Sequence, residues 1–177
     1  MSQTIPHQPM KVIHEFIPAL GYFPNNPHFP LLIYSGVFNA NQLAPTEIKN
    51  LLKENNWGNS WIDSIYDEHH YHSNTHEVLI VISGTAKAIY GGPQGKIFKI
   101  SEGDVIIHPA GVSHKKMTAS DHFACMGAYP NSRHYDMCYG KKEEHPQVDK
   151  NIKKVGLPEA DPVYGKDGLI FHYWKLS

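Results

Sequence analysis

The chain has 177 residues, about the size of one domain, and its charges nearly balance. Sixteen Lys and Arg stand against 17 Asp and Glu, a formal net charge of -1, so no overall field attracts nucleic acid or an anionic membrane. The longest apolar run, residues 78–82, is far shorter than the roughly 20 residues that cross a bilayer. We therefore expect neither nucleic-acid nor membrane partners. The N-terminus also lacks the apolar core of a secretory signal, which favours a cytoplasmic location.

The N-terminal third predicts an irregular arm, one strand and one helix. Four prolines interrupt residues 18–30, which leaves only extended segments that wrap around the body. Residues 31–38 are predicted to form a strand. From Pro45 to Asn55 the apolar residues recur at helical spacing, so this segment predicts one short amphipathic helix with proline in its first turn.

The middle of the chain predicts short strands separated by turn residues, with no helix between them. Strands of about five residues at intervals of about 8 to 12 positions are typical of antiparallel all-β folds. The sequence therefore predicts an all-β fold, an antiparallel β-barrel or jelly roll with a short N-terminal helix. The expected strands are residues 78–82, 86–90, 96–100, 104–108 and 122–128.

The last third carries a weaker signal. The charged run 141–144 predicts a solvated loop, and the apolar stretch 169–176 predicts an edge strand. We expect a single domain over residues 1–177, in which the arm, first strand and helix occupy residues 1–61, the strand-rich core occupies 62–128, and C-terminal loops and an edge strand occupy 129–177.

Histidine is the residue that points to chemistry, because four of the 13 histidines lie within residues 69–76. His70 and His72 alternate, so on a strand both imidazoles project from one face. Glu77 has the opposite parity, and the turn-forming residues 73–75 predict a bend that brings its carboxylate back to that face. His114 ends a further turn. Three imidazoles and one carboxylate suit a divalent transition metal and leave coordination positions open.

Two motifs make the chain resemble the cupin superfamily. The first is a His-X-His pair followed by four residues, Glu, six residues and Gly, which His70, His72, Glu77 and Gly84 satisfy. The second is Gly, five residues, Pro-X-Gly, two residues and His, and it runs from Gly103 to His114. The resemblance implies a double-stranded β-helix of the single-domain type. It also implies that His70, His72, Glu77 and His114 hold one divalent ion per chain, whether Fe, Mn, Ni, Zn or Cu.

Further strings along the chain are similar to the YjlB-like bacterial cupins. They are Pro-Asn-Asn-Pro near the N-terminus, Gly-Ala-Tyr-Pro after the core, and Asp-Pro-Val-Tyr-Gly near the C-terminus. Two departures from the cupin pattern, Ser64 and Thr118 in place of glycine and asparagine, affect strand geometry and not the ligands. This resemblance places the arm and tail in the domain and brings no known substrate.

Three further residues are candidates for contacts behind the ligands or with a substrate. His76 is either a strand residue facing away from Glu77, which we prefer, or an alternative ligand or base. Tyr90 shares a strand face with small residues and could donate a hydrogen bond into a pocket. Arg133 is the sole arginine, and its guanidinium either binds a substrate carboxylate or phosphate or lies on the surface. His108, just before a proline, is expected to be a structural strand end.

The site predicts a metal-binding cupin that acts on a small-molecule substrate. A dioxygenase-type oxidoreductase is preferred to an isomerase or epimerase, because the sequence shows no unambiguous general base. The alternative is a cupin that binds a metal or metabolite without turnover, since the fold does not settle the activity. A homodimer that pairs through sheet edges is also expected.

Overall fold

Most of the chain forms two antiparallel β-sheets in the computed structural model, which describes residues 4–176. A six-stranded sheet has the order β1-β2-β7-β4-β9-β3, and a three-stranded sheet has the order β6-β5-β8. The strands expected within the middle of the chain are confirmed, with ends that differ by at most two residues. In chain order the strands are β1 (Lys11–Glu15), β2 (Leu31–Ser35), β3 (Trp57–Asp63), β4 (Glu77–Ser83), β5 (Thr85–Tyr90), β6 (Lys96–Ser101), β7 (Val105–His108), β8 (His114–Ala119) and β9 (Ala124–Pro130).

The six-stranded sheet is covered on both faces, so its central strands are apolar at consecutive positions and not only at alternate ones. On β2, Leu31 and Ile33 face the three-stranded sheet and pack with Ala88 of β5. Leu32 and Tyr34 face the other way and pack with the helical and C-terminal segments. Each apolar side chain buried fully in this manner stabilises the fold by about 1.5–3 kcal/mol.

Helices lie outside the two sheets. The helix predicted from Pro45 is confirmed: Pro45 occupies its first turn, Glu47 complements the helix dipole, and Ile48 and Leu52 are buried against β-sheet residues. The helices are α1 (Pro45–Glu54), α2 (Gln147–Lys154) and α3 (Ile170–Tyr173), with a short 3-10 helix at Lys142–Glu144.

One prediction for the C-terminal region is wrong, because residues 169–176 contain α3 and add no edge strand. The charged run 141–144 is mostly exposed, as expected, although it includes the 3-10 helix that α2 follows closely. Asp161 explains the error. Its buried carboxylate accepts hydrogen bonds from the backbone N–H of Ile170 and the hydroxyl of Tyr34, both at 2.9 Å. The tail is thereby fixed over the face of β2 and cannot extend a sheet edge.

The architecture fits a jelly roll, although the sheets do not close into the expected barrel. Among residues 4–176, no ladder of hydrogen bonds joins the two sheets. Residues 64–71 instead cross from β3, the edge of one sheet, to β8, the edge of the other. There the N–H of Lys116 donates to Tyr66 at 2.8 Å, and His70 pairs with His114. Within the described chain no helix has the length and apolar character to cross a membrane.

Candidate metal centre

Three histidines converge where the crossing segment meets β8. One ring nitrogen from each of His70, His72 and His114 lies within 4.8 Å of the others, and all three side chains are buried. The backbones of His70 and His114 exchange two hydrogen bonds of 3.2 and 2.9 Å, which fixes the separation of their imidazoles. The three predicted imidazole ligands are thus brought together.

Each imidazole is oriented by a backbone carbonyl. The Nδ1 atoms of His70, His72 and His114 lie 2.9, 2.6 and 3.2 Å from the oxygens of Glu68, Asp136 and Val112 respectively. A carbonyl only accepts, so Nδ1 carries a hydrogen in each ring, and Nε2 is left as the nitrogen for a metal ion or for Glu77. This arrangement, with Nδ1 fixed by the protein, is the one that metal-binding histidines adopt.

Glu77 lies at the same centre, because the chain bends at residues 73–75 as the sequence predicts. Its Oε2 is 3.2 Å from Nε2 of His72, and its Oε1 is 3.2 Å from Nε2 of His114. The hydroxyl of Tyr129 donates to Oε2 at 2.7 Å. Glu77 is only 2% exposed, so this carboxylate belongs to the buried interior and not to the surface.

Burial and the neighbouring rings set the charges of the centre. Burial alone would raise the pKa of Glu77, but the imidazoles of His72 and His114 hold it well below its usual range. Burial, reinforced by His114, lowers the pKa of His70 to about 3. Near neutral pH the centre therefore offers an ionised carboxylate and a neutral His70, the protonation states in which these groups ligate a metal.

The donor set fits a divalent transition metal. Three imidazole nitrogens and one carboxylate oxygen are the ligands that iron, manganese, nickel, zinc and copper accept in proteins. Oε1 of Glu77 is buried and, although Nε2 of His114 lies 3.2 Å away, it accepts no well-aligned hydrogen bond from the described residues, which is costly unless a cation satisfies it. His70, His72, Glu77 and His114 are the residues that could hold the ion.

A pocket of about 200 Å³ opens onto the four residues. Four aromatic side chains contribute to its walls, namely Trp61, Tyr66, Tyr129 and Tyr135, and its described lining includes no Lys or Arg. The rings of Tyr129 and Tyr135 stack with centroids 4.8 Å apart. Sequence reasoning missed these residues. The nearest signal was the Gly-Ala-Tyr-Pro string, which contains Tyr129.

The three secondary candidates do not line this pocket. His76 is buried, and its Nδ1 accepts the N–H of Ala110 at 2.9 Å while its Nε2 donates to the oxygen of Gly156 at 2.8 Å. It therefore supports the turn that leads to His114. Tyr90 is buried between the sheets, with its hydroxyl unpartnered among the described residues, and Arg133 is exposed on the loop after β9.

Comparison with known proteins agrees with this fold and site. The family model described as "Cupin domain" matches residues 64–125, which include all four converging residues. The chain is 40% identical over 159 residues to "Uncharacterized protein YjlB" of Bacillus subtilis (strain 168), covering 90% of this chain and 94% of that protein. The chain therefore belongs to the cupin family. Within that family, YjlB is a relative that it matches over nearly its whole length.

Solved structures show more distant likenesses. The TDP-fucose-3,4-ketoisomerase WlaRA from Campylobacter jejuni is 13% identical, with a TM-score of 0.38, over 47% of this chain and 67% of that one. A variant of oxalate decarboxylase from Bacillus subtilis is 21% identical, with a TM-score of 0.38, over 65% of this chain and 29% of that one. Such distant likenesses assign neither activity to this chain.

Proposed function

We propose that this cupin holds one divalent transition metal ion through His70, His72, Glu77 and His114 and transforms a small molecule in the adjoining pocket. The observation that carries the proposal is the orientation of the three imidazoles. Each has Nδ1 fixed by a backbone carbonyl, and Nε2 of both His72 and His114 lies 3.2 Å from the Glu77 carboxylate. Three histidines that serve only to fill the core would not need to have Nδ1 oriented by a backbone carbonyl in every case.

The pocket favours a small, planar molecule. About 200 Å³ lies below the range of roughly 300–1,000 Å³ that is usual for pockets binding drug-sized ligands. The stacked rings of Tyr129 and Tyr135 offer a flat wall, and the rings of Tyr135 and His72 meet edge to face with centroids 4.8 Å apart. An unsaturated ring or a conjugated carbonyl would lie against this wall with one end at the ligand residues and would exclude water from them.

Oxidation by dioxygen is the reaction class that the side chains favour. The bound ion would supply Lewis acidity and, if it is iron or manganese, redox chemistry. An isomerase also needs a free base beside the substrate. The Tyr129 hydroxyl already donates to Glu77 and accepts from Nε1 of Trp61, and Oδ1 of the exposed Asp63 accepts the N–H of Ser64. The buried lining thus offers orientation and water exclusion more than proton transfer.

The test is oxygen uptake by protein reconstituted anaerobically with Fe(II) or Mn(II). Small phenols, vicinal diols and β-dicarbonyl compounds are added in turn, and oxygen consumption and product are measured. We expect uptake with at least one class, and none from protein carrying His72→Ala, which loses a ligand. Product without oxygen uptake would favour the isomerase. Thermal stabilisation by a compound that is never converted would instead favour the binding protein without turnover.

A further inference from the structure

His108 is a buried imidazole without a partner, directly beside the proposed metal centre. It is the last residue of β7, lies opposite Glu77 of β4 in the strand register, and is 2% exposed. Neither of its ring nitrogens has a hydrogen-bond partner among residues 4–176. Its ring lies against that of His114, with centroids 4.2 Å apart.

Such a residue is costly for the fold alone. Buried polar groups in proteins nearly always have partners, and an unpartnered one is penalised by its lost hydration. The rest of β7 is valine and isoleucine, and the ring of His108 packs against the rings of Tyr90 and His114, with centroids 5.6 and 4.2 Å away. A histidine at this position therefore calls for a reason outside stability.

The candidate hydrogen-bond acceptor for His108 is Oε1 of Glu77. Nδ1 of His108 lies 3.8 Å from it, and Oε1 is buried and accepts no well-aligned hydrogen bond from the described residues, although Nε2 of His114 lies 3.2 Å away. This distance is too long for a hydrogen bond, but directly opposed residues of an antiparallel pair project from the same face of the sheet, so a small side-chain rotation closes the gap. The other oxygen of Glu77 is already held by the hydroxyl of Tyr129.

We infer that His108 is a positioning residue for Glu77: its Nδ1–H donates to Oε1 and, with Tyr129 on Oε2, holds the carboxylate from both sides. A carboxylate oxygen has two lone pairs, so Oε1 can accept this bond and still ligate a cation. The inference rests on the proposed metal centre. It goes further in assigning a role to a histidine outside the four ligand positions.

This role predicts opposite effects on metal binding and on stability. Replacing His108 with leucine removes the donor, so the affinity for metal falls by roughly 10- to 100-fold, the usual effect of losing a group that orients a ligand. The same change removes an unpartnered buried ring. The melting temperature of the metal-free protein is therefore unchanged or higher. If His108 only supported the fold, its replacement would lower both the affinity for metal and the melting temperature of the metal-free protein.

The experiment titrates Co(II) into the metal-free full-length protein and follows the visible absorption, with affinity fixed by competition against a chelator. His108→Asn keeps an N–H close to the position of Nδ1 and is the conservative variant. Tyr90→Phe keeps the ring that stacks on His108 and removes only a buried hydroxyl without a partner among the described residues, so it is the matched control for packing around His108. We expect wild type, Tyr90→Phe and His108→Asn to bind with similar affinity, and His108→Leu to bind more weakly with an altered spectrum.

Two results would overturn the inference while leaving the metal centre intact. One is a His108→Leu protein that binds Co(II) as tightly as wild type. The other is a His108→Leu protein with weaker Co(II) binding and a lower melting temperature in the metal-free form, when His108→Asn restores neither. Failure of the wild-type protein itself to bind Co(II) would remove the proposed centre and the role of His108 with it.

Discussion

The Nδ1 atom of His72 lies 2.6 Å from the backbone oxygen of Asp136, 64 residues further along the chain. The carboxylate of the same aspartate accepts the N–H of Ser73 at 2.7 Å, and the Ser73 hydroxyl as well. One residue of the loop after β9 thus fixes both the ring orientation of His72 and the bend that follows it. The C-terminal segment is therefore part of the site and not an accessory to the sheets.

Replacing Asp136 with asparagine should weaken metal binding. One carboxylate oxygen becomes an NH₂ group, which cannot accept, so either the Ser73 N–H or its hydroxyl loses its partner and the bend carrying His72 loosens. We expect a loss of Co(II) affinity of roughly 10- to 100-fold, as for other groups that support a ligand. The exposed Asp121→Asn is the control and should bind as wild type does. Equal affinity in Asp136→Asn and wild type would show that the carboxylate of Asp136 does not help to position His72.

Replacing Tyr129 with phenylalanine should affect both stability and the ligand carboxylate. The hydroxyl donates to Glu77 and accepts from Trp61, so its removal leaves two buried or half-buried groups without that partner. We expect the free energy of unfolding to fall by about 1–3 kcal/mol in denaturant titrations, with a change in Trp61 fluorescence.

The matched control for this change is Tyr135→Phe. The ring of Tyr135 stacks on that of Tyr129, while its hydroxyl has no hydrogen-bond partner in the described part of the chain. This variant should retain the stability of the wild type. Equal losses in both variants would mean that the hydroxyl of Tyr129 is not what holds Glu77.

His145 should make stability depend on pH. Its Nε2 lies 2.9 Å from the oxygen of Tyr22 and its Nδ1 lies 2.6 Å from Oδ2 of Asp149, and both partners accept, so both nitrogens donate only when the ring is protonated. The carbonyl of Tyr22 and the carboxylate of Asp149 raise the pKa of His145. The protonated form is therefore bound more tightly by the folded protein.

The raised pKa of His145 in the folded protein sets the direction in which stability changes with pH. The stabilisation is fully present below the unfolded pKa of about 6.5 and is lost as the pH rises through the higher folded pKa. The difference in unfolding free energy between wild type and His145→Gln should therefore be larger at pH 5.5 than at pH 8.5. The exposed His122→Gln serves as the control. A difference that grows towards pH 8.5 would contradict the assignment.

Replacing His76 with alanine should destabilise the fold and spare the metal centre. The change leaves a cavity and removes the partners of the Ala110 N–H and the Gly156 carbonyl, so we expect a loss of about 3 kcal/mol. Metal stoichiometry should stay near that of wild type, because His76 does not line the pocket. The exposed His28→Ala should change stability by less than about 0.5 kcal/mol. A folded His76→Ala protein without metal would instead place His76 in the site.

The convergence of the four proposed ligand residues could be predicted because its signal is local. The alternation of His70 and His72, the turn-forming residues before Glu77 and the turn before His114 each lie within a few residues of the side chain they place. The strands of the core were predictable for the same reason, since each is a short apolar run bounded by glycine or polar residues.

The remainder depends on contacts between distant parts of the chain. The tail forms α3 because Asp161 reaches both Ile170 and Tyr34, the latter 127 residues away in sequence. The aromatic wall of the pocket exists because β3 pairs with β9, which brings Trp61 to within 2.8 Å of the Tyr129 hydroxyl. Neither pairing leaves a periodicity that a single sequence displays, so the edge strand was wrongly predicted and the pocket lining was missed.

The measurement that tests the account most directly is the metal content of the untagged protein, purified anaerobically without chelator, beside that of His72→Ala. We expect about one transition-metal ion per chain in the wild type and almost none in the variant, because removal of one imidazole from four protein ligands breaks the centre. Wild-type protein that carries no metal and takes up none on anaerobic reconstitution would contradict it. A variant that retains full occupancy would do the same.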